Sequence, residues 1–340
     1  MTQISSHTWD ELSQLIDDSN IILLSTHINA DGDGLGSEIA FYYYLKELGK
    51  DCRIINATGL PYNYAGIDPD KVVELYSDGC DNWLDSVDLT IVFDIGDHRR
   101  TGPIGEKVYT TSTVVCIDHH PPRDNHPFTL NIVDLNAPAT GYMIWKYFQH
   151  IGMTDKNLEL KIANGLYVSL VTDTGSFKYQ STTSDTHLMA AYLLDCGVDG
   201  YALQREIYEQ RRIPQIKMLG DVIRHLKYSK SGKIVWVIIT QEMKDANEAE
   251  DGDVDGFTEF VRAIESVEVA FMIQELQNRT YRINFRSSGN VIINDIAQSF
   301  GGGGHKFAAG ARISDLSQDE IETKILHQLS EKIPGEVNGN

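Results

Sequence analysis

Two hydrophobic patterns alternate along the first half of the chain. Short unbroken apolar runs, IILLST (Ile21–Thr26), DCRIIN (Asp51–Asn56), LTIVFD (Leu89–Asp94) and TVVCID (Thr113–Asp118), are rich in β-branched residues and bounded by polar turns. They read as buried strands. Stretches with helical spacing lie around them. Thr8–Asp18 opens with Ser/Thr ahead of an acidic first turn, GSEIAFYYYLKELGK ends at Gly49, and three more run at about Gly141–His150, Asn157–Val171 and Ser184–Cys196. Strands alternating with helices predict an α/β domain over 1–196, a parallel sheet with helices on both faces.

The pattern changes after Gly197. YALQREIYEQRR and IKMLGDVIRHLKY are helical and charged, which predicts a helical linker over 197–230. Beyond it, IVWVIITQ, VEVAFMIQEL and YRINFRS read as strands of a smaller mixed sheet. A terminal helix from about Leu316 to Glu331 completes a second α/β domain over 231–340. The acidic stretch Asp245–Gly256 has an Asp-x-Asp-x-Asp rhythm but no twelve-residue loop closed by a ligating Glu. It reads as a solvated loop and not as a calcium site.

Composition narrows the partners. The 340 residues suit about two domains. With 41% hydrophobic and 23% charged residues the chain is globular, not disordered. Lys plus Arg is 29 against 49 Asp plus Glu, a net charge of −20. Such a surface argues against coating long nucleic acid, while a short anionic ligand remains open to a local basic pocket or a bound metal. The longest apolar runs are strand-sized, so no membrane partner is expected. MTQISSHTWDELSQ has no secretory pattern, and Cys52, Cys80, Cys116 and Cys196 are widely spaced without a CxxC pair. The expectation is free thiols in the cytoplasm, with a homodimer as the default for a soluble enzyme.

Candidate chemistry gathers just beyond apolar elements, where open parallel sheets bind ligands. His27, Asp31 and Asp33 follow the first strand and precede a helix N-terminus, whose free N–H groups would favour phosphate. Asp94 ends the third strand, Asp118-His119-His120 the fourth, and Asp173 a helical run. Singly, each is more simply a cap or turn residue. Together they form a mixed His/carboxylate set suited to hard or borderline divalent metals, Mn²⁺ or Mg²⁺ first and other transition metals after them. Two such ions would clamp a phosphoryl oxygen.

HINADGDGLGS, VFDIGDHRRTG, IDHH and VTDTGSF resemble, in order, the four motifs of the DHH phosphoesterase superfamily. The resemblance implies that His27, Asp31, Asp94 and Asp173 hold one metal. Asp33, Asp94, His119 and Asp173 would hold the other, with Asp94 bridging. It implies that His120 faces the scissile phosphate and that Asp118 orients a histidine. The C-terminal run Gly301–Gly310 (GGGGHKFAAG) resembles the glycine-rich signature of the DHH-associated substrate domain, with Arg286 and Ser287 just before it. Gly302, Gly303 and Gly304 would expose backbone N–H groups to an anion, while Arg286 and His305 bond a phosphate. Arg100, ahead of Thr101-Gly102, fits a recurrent Arg-x-Gly. Ala139-Thr140 departs from the Ser-Thr common in the family and touches at most a minor phosphate contact. Tyr179 and Phe307 are candidates for base stacking, with core packing as the simpler reading.

The glycine-rich signature points away from the pyrophosphatase branch, and the length leaves no room for a further oligonucleotide-binding barrel. The stand-alone two-domain branch remains. It implies hydrolysis of very short oligonucleotides and linear dinucleotides to 5′-mononucleotides, alongside 3′-phosphoadenosine-5′-phosphate phosphatase activity. The alternatives are a cyclic-dinucleotide phosphodiesterase or an exopolyphosphatase/pyrophosphatase-like hydrolase. A non-enzymatic nucleotide-binding regulator would be marked by a missing ligand, and none of the six metal positions is missing.

Overall fold

Six strands, β1 (Ile21–Ser25), β2 (Asp51–Asn56), β3 (Val73–Leu75), β4 (Leu89–Phe93), β5 (Thr113–Asp118) and β6 (Leu130–Val133), form the first sheet of the computed structural model. Their order is β3-β2-β1-β4-β5-β6, and every pair is parallel. The structure describes residues 4–122, 125–155 and 157–333, so positions 1–3 and 334–340 of the two expected domains lie outside it. Alternate residues of β1 face opposite cores, which explains why its sequence is apolar throughout. Ile22 and Leu24 pack under the helices Ser6–Asp18, Gly32–Glu47, Thr140–His150 and Leu160–Asp173. Leu23 faces a smaller core with Leu84, Ile104 and Val108. The edge strands β3 and β6 escaped the sequence reading because both are short. Only Leu130 and Ile132 of β6 turn inward.

The chain fills the sheet outward from β1 in one direction, then crosses back to β4 and fills the other. This reversal opens a crevice at the carboxyl ends of β1 and β4. Both candidate residues His27 and Asp94 lie just beyond those ends.

The chain divides into two compact units, Met1–Gln210 and Arg211–Asn340. The division falls within the stretch read as a linker. Its helix Gly200–Glu209 packs on the turn Tyr62–Ile67 of the first unit. Its helix Ile213–Arg224 buries Met218 and Val222 in the second.

In the second unit β7 (Lys227–Tyr228), β8 (Ile234–Ile239), β9 (Val269–Glu275), β10 (Tyr281–Ser287), β11 (Gly303–His305) and β12 (Ala308–Ile313) form a sheet in the order β11-β12-β10-β9-β8-β7. Only β8 and β9 pair in parallel. One face carries Phe271 and Phe285 against Ile296, Ile321 and Leu329 of the helices Asn294–Ser299 and Gln318–Lys332. Two expectations are corrected here. From Gly303 the glycine-rich run is a strand paired with β12 and not an open loop, because the AAG that follows supplies small residues for a tight antiparallel match. The acidic stretch 245–256 is not simply solvated. Lys244 is buried and donates to Asp251 and to the Glu275 carbonyl at 2.6 Å, while Asp255 pairs with Arg282.

Candidate active site

The end of β1 is fastened before the site begins. Thr26 donates its N–H to Asn56 Oδ1 at 3.2 Å and its hydroxyl to the Phe93 carbonyl at 2.8 Å. Asn56 donates in turn to Glu38 Oε1 at 2.6 Å. Glu38 is fully buried, its other oxygen accepts no hydrogen bond, and burial holds its carboxyl well above the ordinary range. These bonds tie the ends of β1, β2 and β4 together, so His27 and Asp94 leave a rigid base. The sequence reading missed Glu38 and Asn56, since nothing local marks them as partners.

His27 Nδ1 lies 2.9 Å from the Ile28 carbonyl, and His119 Nδ1 lies 3.0 Å from the Ala137 carbonyl. A carbonyl only accepts, so each Nδ1 carries a proton, and each ring turns its Nε2 inward, a lone pair whenever the ring is neutral. His27 Nε2 meets Asp94 at 3.7 Å and Asp31 at 3.8 Å. His119 Nε2 meets Asp173 at 3.4 Å, and Asp33 and Asp94 at 3.5 Å. Lone pairs facing converging carboxylates repel unless a proton or a cation lies between them. Burial alone would lower the His27 pKa, but Asp31 and Asp94 raise it to about 9. Ligand atoms of His27, Asp31 and Asp94 lie within 4.8 Å of one another, as do those of Asp33, Asp94 and His119. The donors are nitrogen and carboxylate oxygen without thiolate, a set that fits two divalent ions sharing Asp94.

Asp94 is buried and takes a left-handed backbone conformation, φ 52°. Such a conformation is uncommon outside glycine and marks functional turns. Burial would raise its pKa, yet the imidazoles of His120, His119 and His27 hold it well below the carboxylate range. Asp33 is anchored through both oxygens from the protein side. Its Oδ2 accepts from Thr140 N at 2.7 Å, and its Oδ1 accepts from Ser169 Oγ at 2.5 Å and Gly141 N at 3.1 Å. Burial, then the nearby Asp94 charge, pushes Asp33 well above the usual range. Asp173 rises to about 6, chiefly through burial. Asp118 Oδ1 accepts from both His120 N and His120 Nδ1 at 2.9 Å, and its Oδ2 from Gly96 N at 2.6 Å. His120 Nδ1 is also 3.1 Å from Asp94.

Close helix crossing makes this convergence feasible. A Cβ on Gly36 would stand 2.3 Å from the Gly165 carbonyl oxygen, and one on Gly165 would stand 2.6 Å from that of Gly36. Only glycines let the Gly32–Glu47 and Leu160–Asp173 helices touch there, which brings Asp33 to Ser169 and Asp173. One expectation fails at the same helix. The N–H groups of Asp33 and Gly34 are taken by Asp31 Oδ1. This helix N-terminus caps itself and is not a phosphate cradle. The backbone N–H of Thr140, in the Ala139-Thr140 pair, serves Asp33.

Three tyrosines join the site region. Tyr64 packs on Gly32, Tyr208 lies near Asp173, and Tyr179 covers Gly175. Glu206 accepts from Gly66 N at 2.6 Å and clamps the turn that carries Tyr64. The sequence reading had assigned Glu206 and Tyr208 to a linker. Arg100 donates to the Ile95 carbonyl at 3.2 Å and lies near enough to His27 to oppose its protonation. No acidic partner pairs with Arg100 among the described residues.

In the second unit Arg286 is engaged through two of its nitrogens. Its Nε is paired with Glu259, and its Nη1 donates to the Phe285 carbonyl at 2.9 Å. Ser287 Oγ accepts from Gly289 N and Val291 N, capping a turn. Gly303, Gly304 and His305 lie in β11 with Gly302 just before it, and Phe307 is half-buried in the turn that follows. Gly304 needs its glycine for backbone reasons, with φ 131° and a Cβ position 2.8 Å from the Ala309 Cα.

Residues 21–170 match the DHH family, N-terminal domain, and residues 231–333 match the DHHA1 domain. The chain therefore carries a DHH-family N-terminal domain and a C-terminal DHHA1 domain. Among its relatives is the bifunctional oligoribonuclease and PAP phosphatase NrnA of Thermus thermophilus, 29% identical over 92% of this chain and 90% of that one. The Bacillus subtilis protein of the same name is also 29% identical, over 94% and 96%. An exopolyphosphatase-related protein from Bacteroides fragilis has the same fold, with a TM-score of 0.88 at 22% identity over 97% of this chain and 98% of its own. No helix among the described residues is long and apolar enough to cross a membrane.

Proposed function

We propose that this hydrolase cleaves very short oligonucleotides to 5′-mononucleotides and also removes the 3′-phosphate of 3′-phosphoadenosine 5′-phosphate. The observation that carries the reading is the buried Asp94 carboxylate, which His27, His119 and His120 approach within 3.1 to 3.7 Å. The names of the Thermus and Bacillus relatives support the substrate class. His27, Asp31, Asp94 and Asp173 are assigned to one divalent ion, and Asp33, Asp94, His119 and Asp173 to the other, with Mn²⁺ the first choice. Bound there, the ions would supply water activation near neutral pH and charge neutralisation at the phosphoryl oxygens.

The protein's own groups do the rest. Arg100 takes a phosphoryl oxygen, as a cation without an acidic partner is suited to do. Asp118 fixes the ring of His120 so that Nε2 is offered to the scissile phosphate. Arg286, His305 and the glycines at 302–304 of the DHHA1 domain are assigned to phosphate binding. The net charge of −20 repels long polyanions while a short one enters a local positive field. Placement in the cytoplasm and a homodimer belong to the same proposal.

The test is a side-by-side rate comparison with Mn²⁺ on a 5′-phosphorylated dinucleotide, a long RNA, phosphoadenosine phosphate, cyclic di-AMP and pyrophosphate. The dinucleotide should be fastest and release mononucleotide. Faster turnover of cyclic di-AMP or pyrophosphate would overturn the assignment.

A further inference from the structure

The two candidate ion sites stand over different strands. The sheet order β2-β1-β4-β5 places His27 beyond β1, His119 beyond β5 and the shared Asp94 beyond β4 between them. The two histidines are held differently. His119 Nδ1 is fixed by the carbonyl of the distant Ala137, whereas the carbonyl that fixes His27 Nδ1 belongs to the next residue, Ile28. The place of His27 therefore depends on how its own segment is held. The Ile28 N–H donates to the Arg100 carbonyl at 2.7 Å, and the Asn29 N–H to Thr58 Oγ1 at 2.9 Å. Just before His27, the Thr26 N–H donates to Asn56 Oδ1 at 3.2 Å. That last bond is buried, and it arrives from β2, on the side of the sheet away from His119.

A side-chain amide has one accepting end and one donating end. The Thr26 N–H can only donate, so it fixes Asn56 Oδ1 toward β1 and turns Nδ2 onto Glu38 Oε1 at 2.6 Å. Ser25 Oγ donates to the same Oδ1 at 3.3 Å. A flipped amide would set Nδ2 against the Thr26 N–H and Oδ1 against the Glu38 acceptor. Glu38 reaches Asn56 from the Gly32–Glu47 helix. It is fully buried, and its Oε2 has no hydrogen-bond partner. Such a group costs stability that an apolar residue would not. Glu38 belongs to none of the metal-binding clusters among the described residues, so it is not itself a ligand there. A cost carried without local return points to a role elsewhere.

We propose that Glu38, acting through the Asn56 amide and the Thr26 N–H, is a positioning residue for the ion assigned to His27, Asp31, Asp94 and Asp173, and not for its neighbour. The inference rests on the two-ion assignment above. The ion assigned to Asp33 and His119 is served by separate anchors. Thr140 N, Gly141 N and Ser169 Oγ hold Asp33, and the Ala137 carbonyl holds His119. Those anchors lie in residues 137–141 and in the Leu160–Asp173 helix, not in β2. The relay asks of Glu38 only an acceptor at Oε1, so an amide in its place serves as well as a carboxyl.

The test counts bound Mn²⁺ by calorimetric titration of the full chain. The set is the wild type, Glu38→Gln, Asn56→Leu and the double variant Glu38→Leu/Asn56→Leu. The wild type should bind two ions. Glu38→Gln keeps the acceptor and should bind both with wild-type affinity. Asn56→Leu should weaken one ion by roughly ten- to hundredfold and leave the other, whose retention also reports an intact fold. The double variant removes the buried polar pair together. It should melt higher than Asn56→Leu and yet show the same loss of one ion. Equal weakening of both ions in the double variant, or loss of an ion in Glu38→Gln, overturns the positioning role. A wild type that binds fewer than two ions overturns the dinuclear assignment and this inference with it. Two ions at full affinity in both the wild type and the double variant overturn the relay alone.

Discussion

The crevice beyond β1 and β4 and the open face of β10 and β12 handle charge in opposite ways. In the crevice, carboxylates outnumber cations, and each position is held by buried partners. Asp33 is anchored by backbone and hydroxyl donors, and His27 and His119 are fixed through Nδ1. Low dielectric makes each of those charges expensive unless a counter-charge lies at the centre. On the sheet face arginines dominate, and their partners Asp255 and Glu259 are partly exposed side chains that solvent screens. Chemistry that needs fixed atoms resides where geometry is over-determined.

The comparison breaks most sharply at Asp94. Asp94→Asn should lower the hydrolysis rate by roughly a thousandfold or more, because both proposed ions lose their shared ligand. In the wild type, Mn²⁺ at a hundred times its Kd should stabilise the fold by about 2.7 kcal/mol, several degrees in Tm, and Asp94→Asn should lose most of that rise. A variant that melts and reacts like the wild type would remove the dinuclear assignment. A smaller effect is expected one step outward. Ser169→Ala takes away the donor to Asp33 Oδ1 and should reduce metal affinity or rate by roughly ten- to hundredfold, read by Mn²⁺ titration of the rate. The smallest lies on the sheet face. Glu259→Gln should change unfolding free energy by less than about 1 kcal/mol in a denaturant titration, since its ion pair with Arg286 is partly exposed. A large loss there would mean that the two regions are not as different as described.

Much of the site was legible from local sequence because its residues follow apolar strands, and strand ends in a parallel sheet share one edge. His27, Asp94 and Asp118–His120 are displayed together for that reason. The spacing of His27, Asp31 and Asp33 also marks a turn entering a helix, and that helix forms at Gly32. Its N-terminus nevertheless offers no free N–H at Asp33 or Gly34, because the Asp31 carboxylate turns back onto both, which the spacing alone did not show. Glu38, Asn56, Gly165, Ser169 and Glu206 were equally illegible. Each acts through a partner far away in the chain, and a lone buried acid or hydroxyl carries no periodic signal.

The sequence by itself determined the alternation of strands and helices, the mixed second sheet and the six ligand-type side chains, since these depend on local pattern and on residue chemistry. Only the tertiary structure decided which nitrogen of His27 and His119 turns inward and how Asp33 is anchored. It also turned half of a glycine run into a paired strand and set Arg282 against Arg312. Those outcomes depend on hydrogen bonds and strand register between residues remote in the chain, which acquire their geometry only when the sheets and helices pack.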